Sequence, residues 1–171
     1  VIDCGIGFPK EGKENENEIL IPDFSYVLAR QEKLRGLIVT HGHEDHIGAI
    51  PFFLKKVGVP VYTARLTAGL IKAKTAERGP KKVDLRELTE GKGVKLGRDF
   101  HFEFIHLTHS IPDTMAVALS TPLGVVIHTG DFKLDPTPLD RRLSELGKIK
   151  EQGRAGVLLL ASDCLRSERE G

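Results

Sequence analysis

Short apolar runs alternate with segments of helical spacing along the 171-residue chain. Such runs are typical of strands; they predict one strand that ends at residue 3 and others at residues 35–40, 59–63, 94–96, 102–107, 114–120, 125–128 and 157–161. The segments of helical spacing predict helices at residues 24–33, 46–57, 66–77 and 138–150. Strands and helices alternate, with an antiparallel hairpin near the middle, and this order indicates an α/β fold with mixed sheets.

Turn residues mark several boundaries of these elements. Asp23 is a candidate cap for the first helix, and Pro51 either kinks the second helix or marks a new first turn. Residues 121–124 predict a tight turn, in which a glycine is available for a positive φ. Residues 5–20 have no periodicity and predict a loop. The region at residues 80–98 is the least regular part of the chain.

Composition indicates a globular protein, with 40% hydrophobic and 29% charged residues. A net charge of +1 neither requires nor excludes a nucleic-acid partner. Cys4 and Cys164 form no C-x-x-C pair, which fits a reducing compartment such as the cytoplasm. No apolar stretch reaches the roughly 18 residues of a membrane span, so no membrane partner is expected.

Residues 1–5 are typical of the end of a buried strand and contain no initiator Met, so we expect a piece of a larger fold, truncated at both ends.

Four potential metal ligands follow the apolar run at residues 37–39, namely His41, His43, Asp45 and His46. Helical spacing resumes directly after them, so they lie on a strand-to-helix turn. His41 and His43 are two residues apart and point to the same side of an extended segment. Asp45 and His46 follow on a turning backbone and can face a second metal ion. Imidazole suits Zn²⁺, Fe and Mn, with zinc the commonest choice for a hydrolytic site; the alternative is a surface histidine loop that binds no metal or binds one adventitiously.

Two further candidate ligands each follow a strand. His109 comes after residues 102–107, and Asp131 comes after residues 125–128. A carboxylate has two oxygens and can bridge two metal ions, which a histidine cannot. Ligands at several strand ends suit a cleft along one edge of a sheet, where two metal ions about 3.5–4 Å apart can share a hydroxide. Taken singly, each residue is better explained as an ordinary hydrogen-bonded turn residue, and only together with the cluster at residues 41–46 does each favour a metal ligand.

The His-x-His-x-Asp-His motif at residues 41–46 resembles that of the metallo-β-lactamase superfamily. Asp3 matches that superfamily's first motif, His109 its third and Asp131 its fourth. Longer stretches are similar to the ribonuclease J family of the β-CASP group, at residues 2–9, 21–23, 40–49, 109–113, 128–133 and 135–138. The similarity extends over essentially the whole chain.

The resemblance implies a four-layer αβ/βα sandwich and an enzyme that acts on RNA. The implied activity is that of a 5′→3′ exonuclease and endonuclease in RNA processing and decay, with two Zn²⁺ ions, or Mn²⁺ in their place, as cofactors. It implies RNA as the partner and a homodimer or homotetramer as the whole protein. It also implies that a β-CASP domain follows residue 171 and carries the last metal histidine and the candidate general acid. Residues 1–171 alone would then have little or no activity.

The resemblance also assigns roles to individual residues. One zinc ion would be held by His41, His43 and His109, the other would be held by Asp45 and His46, and both would share Asp131. Asp3 would support the turn at residues 41–46 from behind the ligands. Asp163 matches the acidic motif that opens the β-CASP segment, so the implied catalytic carboxylates are Asp45, Asp131 and Asp163.

Two other interpretations stay open. A small-molecule hydrolase of thioesterase or lactamase type shares the metal motif and would have no inserted β-CASP domain. A non-enzymatic RNA-binding or scaffold relative would be expected to lose metal ligands, whereas this chain retains them. The basic residues between positions 72 and 98 could contact RNA phosphates, or they could form an ordinary solvated face.

Overall fold

A computed structural model describes residues 1–9, 19–165 and 167–169 of the chain. They form two compact units, Val1–Thr89 and Glu90–Gly171. Of the loop predicted at residues 5–20, residues 10–18 lie outside the described part. None of the helices in that part is long and apolar enough to cross a membrane.

The first unit is built on a three-stranded parallel sheet in the order β1-β2-β3, with β1 at Leu37–Ile38, β2 at Val61–Thr63 and β3 at Leu85–Glu87. Ile2 extends it by a parallel bridge to Ile38. The helices of this unit are α1 at Ser25–Leu28, α2 at Glu44–Ile47, α3 at Ile50–Leu54 and α4 at Arg65–Arg78. Apolar side chains from both kinds of element form its core, among them Leu37, Val39, Ile47, Ile50, Phe53, Val61 and Ile71.

The predicted helix at residues 24–33 is interrupted. α1 ends at Leu28, and a 3₁₀ turn follows at Gln31–Lys33. The Arg30 guanidinium donates to the Tyr26 carbonyl at 3.2 Å and lies 4.0 Å from the Tyr26 ring centroid. That carbonyl would accept the Arg30 N–H in a continuous α-helix, but the N–H bonds to Val27 instead. The side chain thus replaces the helical bond at the point where the helix stops.

Pro51 marks a new first turn, which decides between the two alternatives left open by the sequence. α2 ends at Ile47, and α3 begins at Ile50 with the proline in its first turn. A proline there removes no helical hydrogen bond, because the N–H groups of the first turn have no partner within the helix. The break separates the short helix that carries Asp45 and His46 from the core helix behind it.

The second unit contains a five-stranded mixed sheet in the order β4-β5-β6-β7-β8. The strands are β4 at Val94–Leu96, β5 at Phe100–His106, β6 at Met115–Thr121, β7 at Gly124–His128 and β8 at Val157–Ala161. β4 to β7 pair antiparallel, and β8 pairs parallel with β7. Gly124 adopts a φ of 139° in the tight turn between β6 and β7. The α/β class with mixed sheets, expected from the sequence, is confirmed.

The helix predicted at residues 138–150 is wrong over its first half, since α5 spans Leu146–Ala155. The residues before it are held by side-chain bonds to distant parts of the unit rather than by helical bonds. Arg142 donates to the carboxylates of Glu90 and Asp113 at 2.8 and 3.3 Å. Glu145 accepts from the His106 N–H at 3.0 Å. We call residues 142–145 the strap, because they connect the end of β5 and the loop after it to α5.

Glu145 gives the second unit a measurable pH dependence. Partial burial raises the pKa of its carboxyl, but hydrogen bonds from the Lys148 ammonium and the His106 N–H outweigh burial, so the net pKa lies below the usual 4.5. Its contribution to stability is therefore present above pH 4.5 and is lost as the pH falls through the lowered pKa. We expect Glu145→Gln to lower the free energy of unfolding by about 1–2 kcal/mol at pH 7, with a smaller loss near pH 3.

Urea unfolding at the two pH values measures this effect, and Glu151→Gln on the exposed side of α5 is the control. An equal loss at both pH values would show that the Glu145 charge does not contribute.

Candidate metal centre

The histidine turn, residues 40–46, joins β1 to α2 in the first unit. His43 has an extended backbone and precedes the first residue of α2, so the chain passes directly from strand to helix. His41 is fully buried, and its Nε2 lies 3.0 Å from Nδ1 of His43. Two nitrogens bound to one tetrahedral zinc ion at about 2.0–2.1 Å are about 3.4 Å apart. The two imidazoles therefore face the same side, as predicted from their spacing, and a metal ion shared between them stays a prediction.

A hydrogen-bond chain fixes the tautomer of His41. The Thr40 hydroxyl donates its proton to Oδ2 of Asp3 at 2.8 Å, and it also lies 3.0 Å from Nδ1 of His41. Because the hydroxyl has only one proton to give, we assign the proton of the second bond to Nδ1 of His41. Nε2 then carries the lone pair, and this is the nitrogen that faces His43.

Asp3 orients the other side of the turn as well. Its Oδ1 accepts the Thr40 N–H at 2.7 Å, and its Oδ2 lies 2.7 Å from Nδ1 of His46. A carboxylate can only accept here, so Nδ1 of His46 donates and Nε2 keeps the lone pair that a metal ligand needs. Nε2 of His46 lies 3.8 Å from the Asp45 carboxylate. Asp3 thus supports two histidines from behind, the arrangement that makes metal-binding imidazoles rigid.

The backbone of residues 3–6 holds the turn against the sheet. Asp3 N donates to the Ile38 carbonyl at 2.8 Å, and Cys4 N donates to the His46 carbonyl at 2.8 Å. Ile6 N donates to the Glu44 carbonyl at 3.1 Å. The segment therefore runs along β1 and α2 and fixes the position from which Asp45 and His46 project.

In the second unit, His109 and Asp131 lie on loops that follow β5 and β7. Nε2 of His109 is 3.9 Å from Oδ2 of Asp131. Both side chains are half-buried, as are His43 and His46, whereas Asp45 is exposed. The two residues that the sequence placed at separate strand ends are therefore brought together within this unit.

Thr108 ties the loop of His109 to the loop of Asp131. Lys133 N donates to the Thr108 carbonyl at 2.8 Å, and the Thr108 hydroxyl donates to the Lys133 carbonyl at 2.5 Å. The same hydroxyl accepts the Asp135 N–H at 3.3 Å and lies 2.9 Å from the hydroxyl of Ser144 in the strap. Nothing in the local sequence marks Thr108 or Ser144 as part of a site, because their partners are 25 to 36 residues away.

Asp163 lies after β8, at the end of the strand next to β7. Its N–H donates to the Thr129 hydroxyl at 3.0 Å, and its carboxylate accepts the Leu165 N–H at 2.8 Å. The backbone of Asp163 is thereby bonded to the loop that leads to Asp131. The catalytic role expected for Asp163 stays a prediction.

The donor set fits a divalent metal ion. The candidate donors are imidazoles and carboxylates: the first unit contains His41, His43, Asp45 and His46, and the second contains His109 and Asp131. Burial raises the pKa of the Cys4 thiol to about 12, and the Asp3 carboxylate adds to this. The thiol therefore stays protonated and does not compete for the metal.

We expect Thr108→Val to weaken Zn²⁺ binding about 10- to 100-fold, the range typical of residues that position metal ligands. Valine keeps the shape of threonine but loses the three hydroxyl contacts that hold the two loops. Competition with a chromogenic chelator measures the affinity. Thr108→Ser, which keeps the hydroxyl, should restore it.

The control is Thr121→Val, because the Thr121 hydroxyl also donates to a carbonyl, that of Gly124, but lies in the turn between β6 and β7. Equal affinities in the Thr108 and Thr121 valine variants would contradict a positioning role.

Comparison with known proteins adds three findings. The model of the metallo-β-lactamase superfamily matches residues 1–163. The chain is 44% identical over 178 residues to Ribonuclease J of Thermus thermophilus and 45% identical over 172 residues to that of Helicobacter pylori. It is 38% identical over 175 residues to Ribonuclease J2 of Bacillus subtilis. These matches cover all of the chain but only 31%, 25% and 31% of the respective relatives.

A solved structure shows the same fold. The metallo-β-lactamase of Cronobacter sakazakii, in a mutant form, superposes with a TM-score of 0.57 at 18% identity. The match covers 84% of this chain and 64% of that one. At this identity the likeness concerns the fold alone.

Proposed function

The chain belongs to the metallo-β-lactamase superfamily, and we propose that it forms the metal-binding part of a ribonuclease that hydrolyses RNA phosphodiesters. The observation that carries the proposal is the similarity of 38–45% identity to proteins named Ribonuclease J over the whole length of this chain. The chain spans about a quarter to a third of the length of these relatives. Both exonuclease and endonuclease action are therefore part of the proposal.

We assign the candidate ligands to two Zn²⁺ ions, with Mn²⁺ as the alternative metal. His41, His43 and His109 would hold the first ion. Asp45 and His46 would hold the second, and Asp131 would bridge the two. The tautomers set by Asp3 and Thr40 support this assignment in the first unit, because they leave Nε2 of both His41 and His46 as the coordinating nitrogen.

The metal ions, when bound, supply an acidified water and positive charge for the phosphoryl oxygens. The chain's own contribution is orientation. His41 is buried and held at Nδ1, so its ligand nitrogen keeps one direction. Asp45 is exposed, and its carboxylate can accept a proton from the attacking water and orient it toward the phosphorus. Asp131 and Asp163 complete the proposed set of catalytic carboxylates.

Four further expectations belong to the same proposal. A β-CASP domain completes the enzyme and contributes the remaining metal histidine and the general acid. The whole protein is a homodimer or homotetramer. It acts in the cytoplasm, where it takes part in RNA processing and decay.

The decisive experiment compares two substrates on the whole protein loaded with Zn²⁺ or Mn²⁺. A 5′-monophosphorylated RNA should be shortened, and a thioester should remain intact. His43→Ala should lower RNA cleavage by more than the 10- to 100-fold typical for residues behind a ligand. Hydrolysis of the thioester together with an intact RNA would assign the protein to the small-molecule hydrolases instead.

A further inference from the structure

We propose that a basic cleft of the first unit binds the phosphate backbone of a single RNA strand and leads it toward the histidine turn. This inference rests on the proposed function and deepens it, because it gives the substrate a path outside the ligand cluster. The cleft has a volume of about 980 Å³ and lies between α4 and the segment that leads into β3. We call it the α4 cleft.

Positive charge dominates the α4 cleft. Four cations line it, Arg65, Lys72, Lys81 and Lys82, while Glu87 is the only carboxylate among the lining residues that the structure describes. Within the described residues, none of the four cations forms an ion pair. Unpaired cations along one concave surface favour a polyanion, since binding releases the counterions of its phosphates.

Two cations near the α4 cleft but outside its lining each pair with a carboxylate. Lys74, on another face of α4, pairs with Glu44. Arg86, on β3, pairs with Asp84 at 2.8 Å. Among the described residues, unpaired cations such as Lys55 and Lys56 also occur elsewhere on this unit, so what distinguishes the α4 cleft is that four of them line one concave surface.

Strand topology gives the α4 cleft a direction. β1, β2 and β3 are parallel, so their carboxyl ends lie at one edge of the sheet. The histidine turn follows β1 at that edge, and Arg65 begins α4 directly after β2 at the same edge. Lys81 and Lys82 precede β3 and hence lie toward the opposite edge. With 14 residues, α4 is about 21 Å long, so the cations extend from the metal edge across the unit.

The lining of the cleft suits a backbone rather than bases. It contains small residues, Ala68, Gly69, Ala76 and Gly79, and it contains no aromatic side chain among its described members. Stacking on aromatic rings is the usual means of holding bases in single-strand sites. We therefore expect contacts to phosphates and little preference for sequence.

The first experiment measures the salt dependence of binding. The whole protein is titrated against a fluorescent 12-nucleotide phosphorothioate RNA, which resists cleavage, and anisotropy is recorded at several salt concentrations. Lys72→Gln with Lys82→Gln removes two contacts, so the slope of log affinity against log salt should fall by about 1.4, at about 0.7 per phosphate. At 0.1 M salt this corresponds to about 25-fold weaker binding.

The matched control is Lys55→Gln with Lys56→Gln, two exposed lysines of the same unit outside the α4 cleft. This pair should leave both the slope and the affinity unchanged. An unchanged slope in the cleft variant, or an equal loss in both pairs, would overturn the proposal.

The second experiment places a charge in the cleft without disturbing the fold. A Cβ added at Gly69 meets no atom within 4 Å, so a longer side chain has open space. Gly69→Glu should weaken RNA binding about tenfold relative to Gly69→Gln, which has the same size and no charge. Equal binding by the two variants would contradict a phosphate site at this position.

Two further comparisons separate this inference from the proposed function. Weak RNA cleavage together with intact binding through the α4 cleft would contradict the proposed ribonuclease activity. It would not contradict the assignment of the cleft as an RNA-binding site. Efficient cleavage, with a cleft variant that binds as the wild type does, would contradict the cleft alone. A poly-glutamate peptide that displaced the RNA at equal charge concentration would assign the cleft to an acidic protein segment instead.

Discussion

Gly5→Ala is expected to destabilise the chain by about 3 kcal/mol or more and to abolish metal binding at the proposed site of Asp45 and His46. An ideal Cβ on Gly5 would lie 1.6 Å from the Asp45 carbonyl oxygen and 2.6 Å from the His46 nitrogen. Both are backbone atoms, so no side chain can rotate away. Either residues 3–6 or α2 must move, and overpacking alone typically costs about 1–3 kcal/mol.

The cost is larger here because the displaced segment is hydrogen-bonded on both sides of Gly5. Cys4 N bonds to the His46 carbonyl, and Ile6 N bonds to the Glu44 carbonyl. Each of these bonds contributes about 1 kcal/mol. The same movement shifts the ligands, since Asp45 and His46 lie in the short helix that the segment supports.

Urea unfolding and Zn²⁺ stoichiometry measure the two effects separately. Gly58→Ala is the control, because a Cβ at that position meets nothing within 4 Å. The two alanine variants differ only in the space around the new methyl group. Equal stability and equal zinc content would contradict the close approach at Gly5.

The histidine turn could be predicted from the sequence because everything that defines it is local. An apolar run, four candidate ligands and a helical pattern follow one another within residues 37–50. Their order alone places the ligands on a strand-to-helix turn. The proximity of His109 and Asp131 depends on one further condition, that both residues follow strands of the same sheet. β5 and β7 both pair antiparallel with β6, so they run in the same direction and end at the same edge.

The failures of prediction have the opposite cause, since long-range partners override the local pattern. Residues 138–145 have acceptable helical spacing, but Arg142, Ser144 and Glu145 bond to residues more than 25 positions away. β3 was not predicted, because only Leu85 in it is partly buried and its other two residues are charged and exposed. Such charged strands are typical of sheet edges, and no alternating apolar pattern identifies them.

Asp3→Asn is expected to lower the free energy of unfolding by about 2–4 kcal/mol and to reduce metal occupancy at the proposed site of His46. Asp3 accepts three hydrogen bonds, and bonds to a charged group contribute about 1.5–3 kcal/mol each. Asparagine has the same shape and tolerates the positive φ of 54° found at this residue. The variant therefore changes the charge and the acceptors while the backbone conformation remains accessible.

The amide of the variant can serve only part of the network. Its oxygen can still accept the Thr40 N–H, but its NH₂ group then faces the Thr40 hydroxyl and Nδ1 of His46. Nδ1 of His46 can accept that NH₂ only if the imidazole proton moves to Nε2. Since Nε2 is the proposed ligand nitrogen, its protonation prevents coordination. The change thus acts on the metal through the tautomer and not through any direct contact.

Zinc stoichiometry, and the ¹⁵N chemical shifts of His46 in labelled protein, test this mechanism. The shifts should change from the Nδ1–H to the Nε2–H pattern in the variant, which a purely structural loss would not produce. Asp84→Asn is the control, because Asp84 pairs with Arg86 at the exposed surface of the same unit and should contribute less than about 1 kcal/mol. If His46 kept the Nδ1–H tautomer and full zinc occupancy in Asp3→Asn, the Asp3 carboxylate would not be what selects the ligand nitrogen.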